Sequence, residues 1–311
     1  ADYMWNYYGW NVALSNGDGF DAPKQWLPNS VAPIGTTYHP NTGYQYVADF
    51  NGDGKAEILV GTTASQSGGA DSGAVYVVFG KASTTAVDLT NVAAGTGGFV
   101  IRGVSGDMAG ASVSGIGDVN GDGRADILVG APGSDSAYVV FGKASTSAVD
   151  LADVRNGIGG FRILAEQPGD LVGMSVTGGQ DLNHDGIADI VIGAPHESEG
   201  GYDAGAVYVI WGGGNASIDL TAISASMGGV KIVGDAGSLL GTTVVLTGDL
   251  NGDGTADLML GSSGGTQSQW VINASADWQP DNNVYGTEGD DVIGAGYGSG
   301  AHVVGESDDN V

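Results

Sequence analysis

Four nine-residue segments repeat one alternation of oxygen donors. Positions 1, 3, 5 and 9 are Asp49, Asn51, Asp53 and Glu57 in the first segment, and Asp118, Asn120, Asp122 and Asp126 in the second. They are Asp181, Asn183, Asp185 and Asp189 in the third, and Asp249, Asn251, Asp253 and Asp257 in the fourth. Glycine holds position 6 each time, whereas position 7 varies freely as Lys55, Arg124, Ile187 and Thr255. Side chains at alternate positions of a tight loop point to a common centre, and the glycine permits the sharp turn. Position 7 then has to offer only its main-chain carbonyl, with its side chain directed away, and the acid at position 9 closes the cage. All-oxygen ligation of this kind suits Ca2+, which takes six to eight oxygens at about 2.3–2.6 Å. The chain has no cysteine and four scattered histidines, so zinc and copper are disfavoured. An EF-hand would place a bidentate Glu at position 12 between helices; here position 12 is Val60, Val129, Ile192 or Leu260, inside an apolar run.

A single such segment is equally well read as a turn in which Asp and Asn cap the main chain. Four copies in phase, each with an acid at position 9, favour the cation. Twelve of the 36 acids lie in these loops. Carboxylates about 5 Å apart repel by roughly 3 kcal/mol per pair at an effective dielectric near 20, and a cation gives that crowding a reason.

The loops recur within a larger unit, their first residues 69, 63 and 68 positions apart. Each is followed by an apolar run (Ile58–Gly61, Ile127–Gly130, Ile190–Gly193, Leu258–Gly261) and then by a second one, such as Ala74–Phe79, Ala137–Phe141 and Ala206–Trp211. A Val-Asp-Leu or Ile-Asp-Leu triplet leads to a third run at Phe99–Ile101, Phe161–Leu164 and Val230–Val233, and the next unit opens at Gly110, Gly173 or Gly241. Runs of 4–7 residues rich in Val, Ile and Tyr, bounded by Gly, Asn, Asp and Ser, are strand signals. No long stretch keeps a 3.6-residue apolar period, so long helices are not expected. Four strands repeated at about 65 residues predict an all-β chain of β-propeller blades, each loop joining the first two strands of its blade. A repeating β-sandwich is the alternative. The opening Ala1-Asp2-Tyr3-Met4 matches the register in which each loop closes, so the chain is expected to start inside a blade of a longer protein. It would then hold parts of five blades, the first and last partial.

Composition sets the outer limits. Acids outnumber bases 36 to 9, for a net charge of −27. That balance argues against nucleic acid and anionic membrane surfaces as partners, and attracts cations. Glycine supplies 58 of the 311 residues without a collagen period, and no apolar run is long enough to span a bilayer. Neither membrane insertion nor a signal peptide is read from the sequence.

The run from Gly173 through Asp181-Leu-Asn183-His-Asp185-Gly186-Ile-Ala-Asp189 to Gly193-Ala194-Pro195 and Gly205–Val209 resembles an FG-GAP repeat, the blade of the integrin α-subunit head. The segment Gly9–Phe20 is closer to the related VCBS-type repeat. The resemblance covers roughly residues 1–275 and implies a calcium-binding propeller of extracellular adhesion and recognition proteins. Departures occur where Gly-Ala-Pro becomes Gly61-Thr62-Thr63 and Gly261-Ser262-Ser263. After Trp278 the character changes: Asn283 to Gly298 resembles the opening of an RTX (hemolysin-type) array, with a glycine-rich linker as the alternative. The expected organisation is therefore a propeller region over 1–278 and a Gly/Asp-rich calcium-binding start over 279–311. The RTX resemblance implies a large bacterial protein, at the cell surface or exported by a type I system.

Catalysis is not expected. There is no Gly-x-Ser-x-Gly elbow, His-Glu-x-x-His or phosphate loop. His184, at position 4 of the third loop, is expected to face solvent. His196, Glu197 and Glu199 form either a second cation site or a solvated acidic loop. Asp71, Asp135 and Asp203 are expected to form turns before third strands, and Trp5, Tyr7, Tyr8, Trp10 and Tyr202 suit either core packing or sugar stacking. The expected function is a calcium-stabilised extracellular module that recognises a protein or glycan. The alternatives are a self-associating, calcium-rigidified subunit of a surface layer or filament, and a noncatalytic domain of a secreted enzyme.

Overall fold

The computed structural model describes residues 3–6, 10–13, 24–25, 47–83, 86–214, 216–224, 228–252, 254–264, 269–272, 284–285 and 292–293. Most of the opening register, the side chains of Trp5, Tyr7, Tyr8 and Trp10, and nearly all of the glycine-rich tail lie outside the described residues. Strands β1 (Tyr3–Asn6), β2 (Trp10–Ala13) and β3 (Lys24–Gln25) pair antiparallel in one sheet. The first described blade follows with β4 (Val47–Ala48), β5 (Glu57–Thr62), β6 (Ala74–Val78) and, after helix α1 (Leu89–Ala93), β7 (Gly98–Arg102). The second has β8 (Val113–Gly115), β9 (Ile127–Ala131), β10 (Ser136–Val140), a short β11 (Val149–Asp150), α2 (Leu151–Val154) and β12 (Gly160–Leu164). The third has β13 (Ser175–Gln180), β14 (Asp189–Ala194), β15 (Ala206–Ile210), β16 (Ile218–Asp219), α3 (Leu220–Ser224) and β17 (Gly229–Val233). The fourth has β18 (Leu240–Leu246), β19 (Leu258–Ser262) and β20 (Gln269–Ile272). β21 (Val284–Tyr285) and β22 (Val292–Ile293) are added in parallel to β17 and β20.

Within the first three of these blades, four strands meander antiparallel, as the repeat predicts. A fifth, parallel strand was not foreseen: β11 pairs with β7 of the preceding blade (Val149 opposite Ile101), and β16 with β12 (Ile163 opposite Ile218). The Val-Asp-Leu triplet thus leaves the third strand of its own blade, laces the outer edge of the one before, and turns into a one-turn helix. In two of the three copies its Asp N-caps that helix: Asp88 Oδ1 accepts from Thr90 N at 2.8 Å, and Asp219 Oδ1 from Thr221 N at 3.0 Å, whereas Asp150 makes no such bond.

Side chains alternate along each strand, so a blade packed between two others buries both faces, as the second and third do. In β9, Ile127 and Val129 pack with Leu59, Val77 and Phe99 of the preceding blade, whereas Leu128 packs with Ile190, Ile192 and Tyr208 of the following one. Val191, Val207 and Val230 then meet Leu258, Leu260 and Trp270 in the same way. Burying each large aliphatic contributes roughly 1.5–3 kcal/mol. Successive blades also touch main chain to main chain. A Cβ on Gly130 would lie 2.1 Å from the carbonyl oxygen of Gly173, and one on Gly193 would lie 2.0 Å from that of Gly241. Only glycine lets the end of one blade's second strand meet the entry to the next blade this closely. Ser112 Oγ and Ser175 Oγ donate to those same carbonyls at 2.8 and 2.7 Å.

Candidate metal centre

The four acidic loops do join the first two strands of successive blades: β4 to β5, β8 to β9, β13 to β14 and β18 to β19. Position 2 anchors three of them in the seam with the next blade, where Phe50, Val119 and Leu182 are buried. Its counterpart Leu250 in the fourth is 59% exposed.

The loop is organised around the carboxylate at position 1. Asp49 accepts from the N–H groups of Gly52 (2.7 Å), Asp53 (3.2 Å) and Gly54 (2.9 Å). Asp118 accepts from Gly121 (2.7 Å), Asp122 (3.0 Å) and Gly123 (2.7 Å). Asp181 accepts from Asp185 (3.1 Å) and Gly186 (2.8 Å), and Asp249 from Gly252 (2.6 Å) and Gly254 (2.8 Å). At position 3, Asn51, Asn120 and Asn183 turn their Oδ1 to the N–H of position 5 at 2.8, 2.8 and 3.0 Å. Position 5 accepts in turn from the N–H of position 7: Lys55 to Asp53 (2.9 Å), Arg124 to Asp122 (2.9 Å) and Ile187 to Asp185 (2.8 Å). Asp253 lies outside the described residues. The main-chain-capped turn and the inward row of oxygens are therefore one geometry, because an ionised carboxylate has lone pairs left after accepting these bonds.

The first loop brings one oxygen each of Asp49, Asp53 and Glu57 within 4.8 Å of one another. Oxygens bound to one Ca2+ at about 2.3–2.6 Å lie no more than roughly 5 Å apart, so this donor set fits such an ion. Among the described residues no other loop brings three carboxylates together this closely.

Position 9 has a second role that spacing did not reveal. Glu57, Asp126, Asp189 and Asp257 are fully buried. Asp126 accepts from Val119 N (3.0 Å) and Gly142 N (2.8 Å), and Asp189 from Leu182 N (2.7 Å) and Gly212 N (2.9 Å). Glu57 accepts from Phe50 N (2.7 Å), Asn51 N (3.2 Å) and Gly80 N (3.3 Å). The acid thus pins the start of the loop to the end of the blade's third strand. Asp257 Oδ2 accepts from Leu250 N at 2.7 Å, while its buried Oδ1 has no hydrogen-bond partner among the described residues. Burial pushes the carboxyls of Asp126 and Asp189 up to about 6, their N–H partners opposing it and the nearby loop carboxylates adding to it. Glu57 is raised by the same burial. At Asp118 the balance reverses: burial raises its carboxyl, but its bonds from Gly123, Gly121 and Asp122 N–H outweigh that and hold it low.

One expectation about side chains needs correction. Position 7 does not always point away: Lys55 Nζ donates to Asp53 Oδ2 at 3.0 Å, and an Arg124 nitrogen lies 3.8 Å from Asp122 Oδ2. These flexible bases find a carboxylate within reach. His184, expected to face solvent, is exposed, and it also hydrogen-bonds through Nε2 to Thr255 Oγ1 of the next loop at 2.7 Å.

The second acidic cluster holds a lysine. Lys231, 1% exposed on β17, places Nζ 3.0 Å from Glu166, 3.3 Å from Glu197 and 2.6 Å from Glu199. Tyr208 donates its hydroxyl to Glu166 Oε1 at 2.6 Å. Lys231 was not singled out from the sequence; its one local signal is a lone charge within an otherwise apolar strand. His196 instead lies 3.0 Å from Asp203. Asp71, Asp135 and Asp203 all take left-handed conformations (φ 49°, 47° and 51°) just before third strands, as turn residues do. Tyr202 is 82% exposed.

Comparison with known proteins agrees with this architecture. The FG-GAP repeat model matches residues 46–78, 109–151, 172–210 and 241–276. The chain is 29% identical over 156 residues to integrin alpha-6 of Gallus gallus (49% of this chain, 13% of the relative). It is 38% identical over 91 residues to integrin alpha-X of Mus musculus (27% and 7%). It is 24% identical over 210 residues to the phosphatidylinositol-glycan-specific phospholipase D of Dictyostelium discoideum (59% and 21%). The chain thus spans no more than about a fifth of the length of these relatives. A solved structure of an Agrocybe aegerita lectin aligns with a TM-score of 0.38 at 17% identity, over 84% of this chain and 60% of that one; so loose a likeness bears on neither fold nor ligand. Among the described residues, no helix is long and apolar enough to cross a membrane. Four segments between residues 46 and 276 thus match the FG-GAP repeat, and the chain is similar in sequence to integrin α-chains.

Proposed function

We propose that this domain is a calcium-stabilised, noncatalytic recognition module of an extracellular protein. Each of its four loops holds one Ca2+ through positions 1, 3, 5, 7 and 9, and its ligand is an extracellular protein or glycan. The propeller region takes in residues 1–278, and the Gly/Asp-rich stretch over 279–311 begins an RTX-like calcium-binding region of a secreted or surface bacterial protein. The observation that carries the cation reading is the recurrence of one carboxylate-centred loop at the same place in every blade, with the acids of the first within a single ion's reach. The likeness to integrin α-chains supports the extracellular recognition role.

Calcium removal tests the reading. At free calcium a hundredfold above the dissociation constant, each site stabilises the fold by about 2.7 kcal/mol. Two such sites rival a typical domain's whole margin of about 5–15 kcal/mol. Chelation should therefore lower the melting temperature steeply, with magnesium restoring little because it demands a smaller and more rigid octahedron. Asp122→Ala and Asp185→Ala should each reproduce part of the loss, whereas Arg124→Ala should not, since that residue serves through its carbonyl. A melting curve unchanged by chelator refutes the calcium assignment in all four loops.

A further inference from the structure

Two pairs of successive loops approach each other, position 4 of one near position 7 of the next. The side chain of Arg124 in the second loop lies 3.5 Å from where a Cβ on Gly52 of the first would sit. Between the third and fourth loops the contact becomes a hydrogen bond, because position 4 there is His184 where the other loops carry Gly52, Gly121 and Gly252. His184 takes a left-handed backbone (φ 61°), which aims its ring across the seam at Thr255, 3% exposed. Such a conformation strains a residue with a Cβ, so glycine would be the cheaper choice if the side chain did nothing.

We propose that His184 is a positioning residue for the fourth cation site. By holding Thr255 Oγ1, it fixes the residue whose main-chain carbonyl is that loop's position-7 ligand. A side chain of the neighbouring blade thus holds one ligand residue of the fourth site in place. This rests on the loops being calcium sites, and deepens that reading by making one site depend on the loop before it.

Calorimetric titration of the full chain with CaCl2 tests the proposal. Asp249→Ala identifies the fourth site and Asp181→Ala the third. His184→Gly places there the residue that the other loops use, so the turn itself is preserved. It should weaken the site that Asp249→Ala abolishes by about fivefold, the equivalent of one net hydrogen bond, and leave the others unchanged. Thr255→Val should weaken the same site by a similar factor, His184→Gln should restore part of it, and His184→Gly should add nothing in the Asp249→Ala background. A fourth site of unchanged affinity in His184→Gly overturns the proposal while leaving the calcium reading intact. So does a loss confined to the site identified by Asp181→Ala. No calcium binding at all in the unsubstituted chain overturns both.

Discussion

The close approach of glycines between blades makes a sharp prediction about which glycines the fold needs. Gly130→Ala would place a methyl group 2.1 Å from the carbonyl oxygen of Gly173 and 2.2 Å from Ser112 Oγ, both belonging to elements already packed between blades. Ordinary contact distance is about 3.5–4.0 Å, so the second and third blades must separate locally by more than an ångström or lose the Ser112–Gly173 hydrogen bond. Overpacking of this kind costs about 1–3 kcal/mol, and a broken buried hydrogen bond adds about 1 kcal/mol. We expect a total near 3 kcal/mol, or roughly 6–12 °C in melting temperature for a domain of this size. The control is Gly121→Ala, at φ 79° with nothing within 4 Å of the added carbon. It pays only the left-handed backbone term of about 1–2 kcal/mol. Urea unfolding of both variants, in saturating calcium, ranks them. If Gly130→Ala is no more destabilising than Gly121→Ala, the blades do not meet through these glycines.

Two further perturbations follow from the buried charges. Burial pushes the carboxyls of Asp126 and Asp189 from the ordinary aspartate value of 3.8 up to about 6. The stability contributed by their protonation is fully present below about pH 3.8 and is lost as pH rises through about 6. Dialysed, cation-free protein should therefore melt at a higher temperature at pH 5 than at pH 7.5, and calcium should narrow the gap by favouring the charged forms; a cation-free melting temperature that rises from pH 5 to 7.5 contradicts this. Lys231→Met should cost about 3–5 kcal/mol in chemical unfolding, because it leaves Glu166, Glu197 and Glu199 without their buried counter-charge; a variant of unchanged stability would show that the carboxylates protonate or reach water at no cost.

Much of the architecture was legible because it is written in local periodicity. Ile127, Leu128 and Val129 alternate apolar faces after every loop, and the loop's own glycine and acids mark the turn between first and second strands. What the sequence did not disclose depends on contacts between distant segments. Val149-Asp150 looks like a connector, since nothing local shows that it will pair with Ile101 and Arg102 some 48 residues earlier. His184 is a polar residue at a position where the register predicts glycine, and only the neighbouring blade supplies its partner. Lys231 sits in an otherwise apolar strand, where charge alone cannot say whether it meets solvent or three glutamates.

The same limit explains position 9. In sequence it is one more acid at ligand spacing. In space it is, among the described residues, the only loop carboxylate carried fully into the protein, where in the first three loops it accepts main-chain N–H groups from two separate segments of its blade. A carboxylate placed there pays for desolvation, as the upward shift of Asp126 and Asp189 shows. A cation on the solvent side of the same group would offset that cost by favouring the ionised form. The loop and the blade are then stabilised through one side chain: the metal charges the acid, and the charged acid holds the third strand through Gly142 or Gly212 more strongly than a neutral one, because charge-assisted hydrogen bonds are roughly twice as strong as neutral ones. On this argument calcium acts on the packing of the whole blade, and a loop that kept its oxygen donors at positions 1, 3 and 5 but lost the acid at position 9 would bind the ion with one ligand fewer and without transmitting its stability to the sheet.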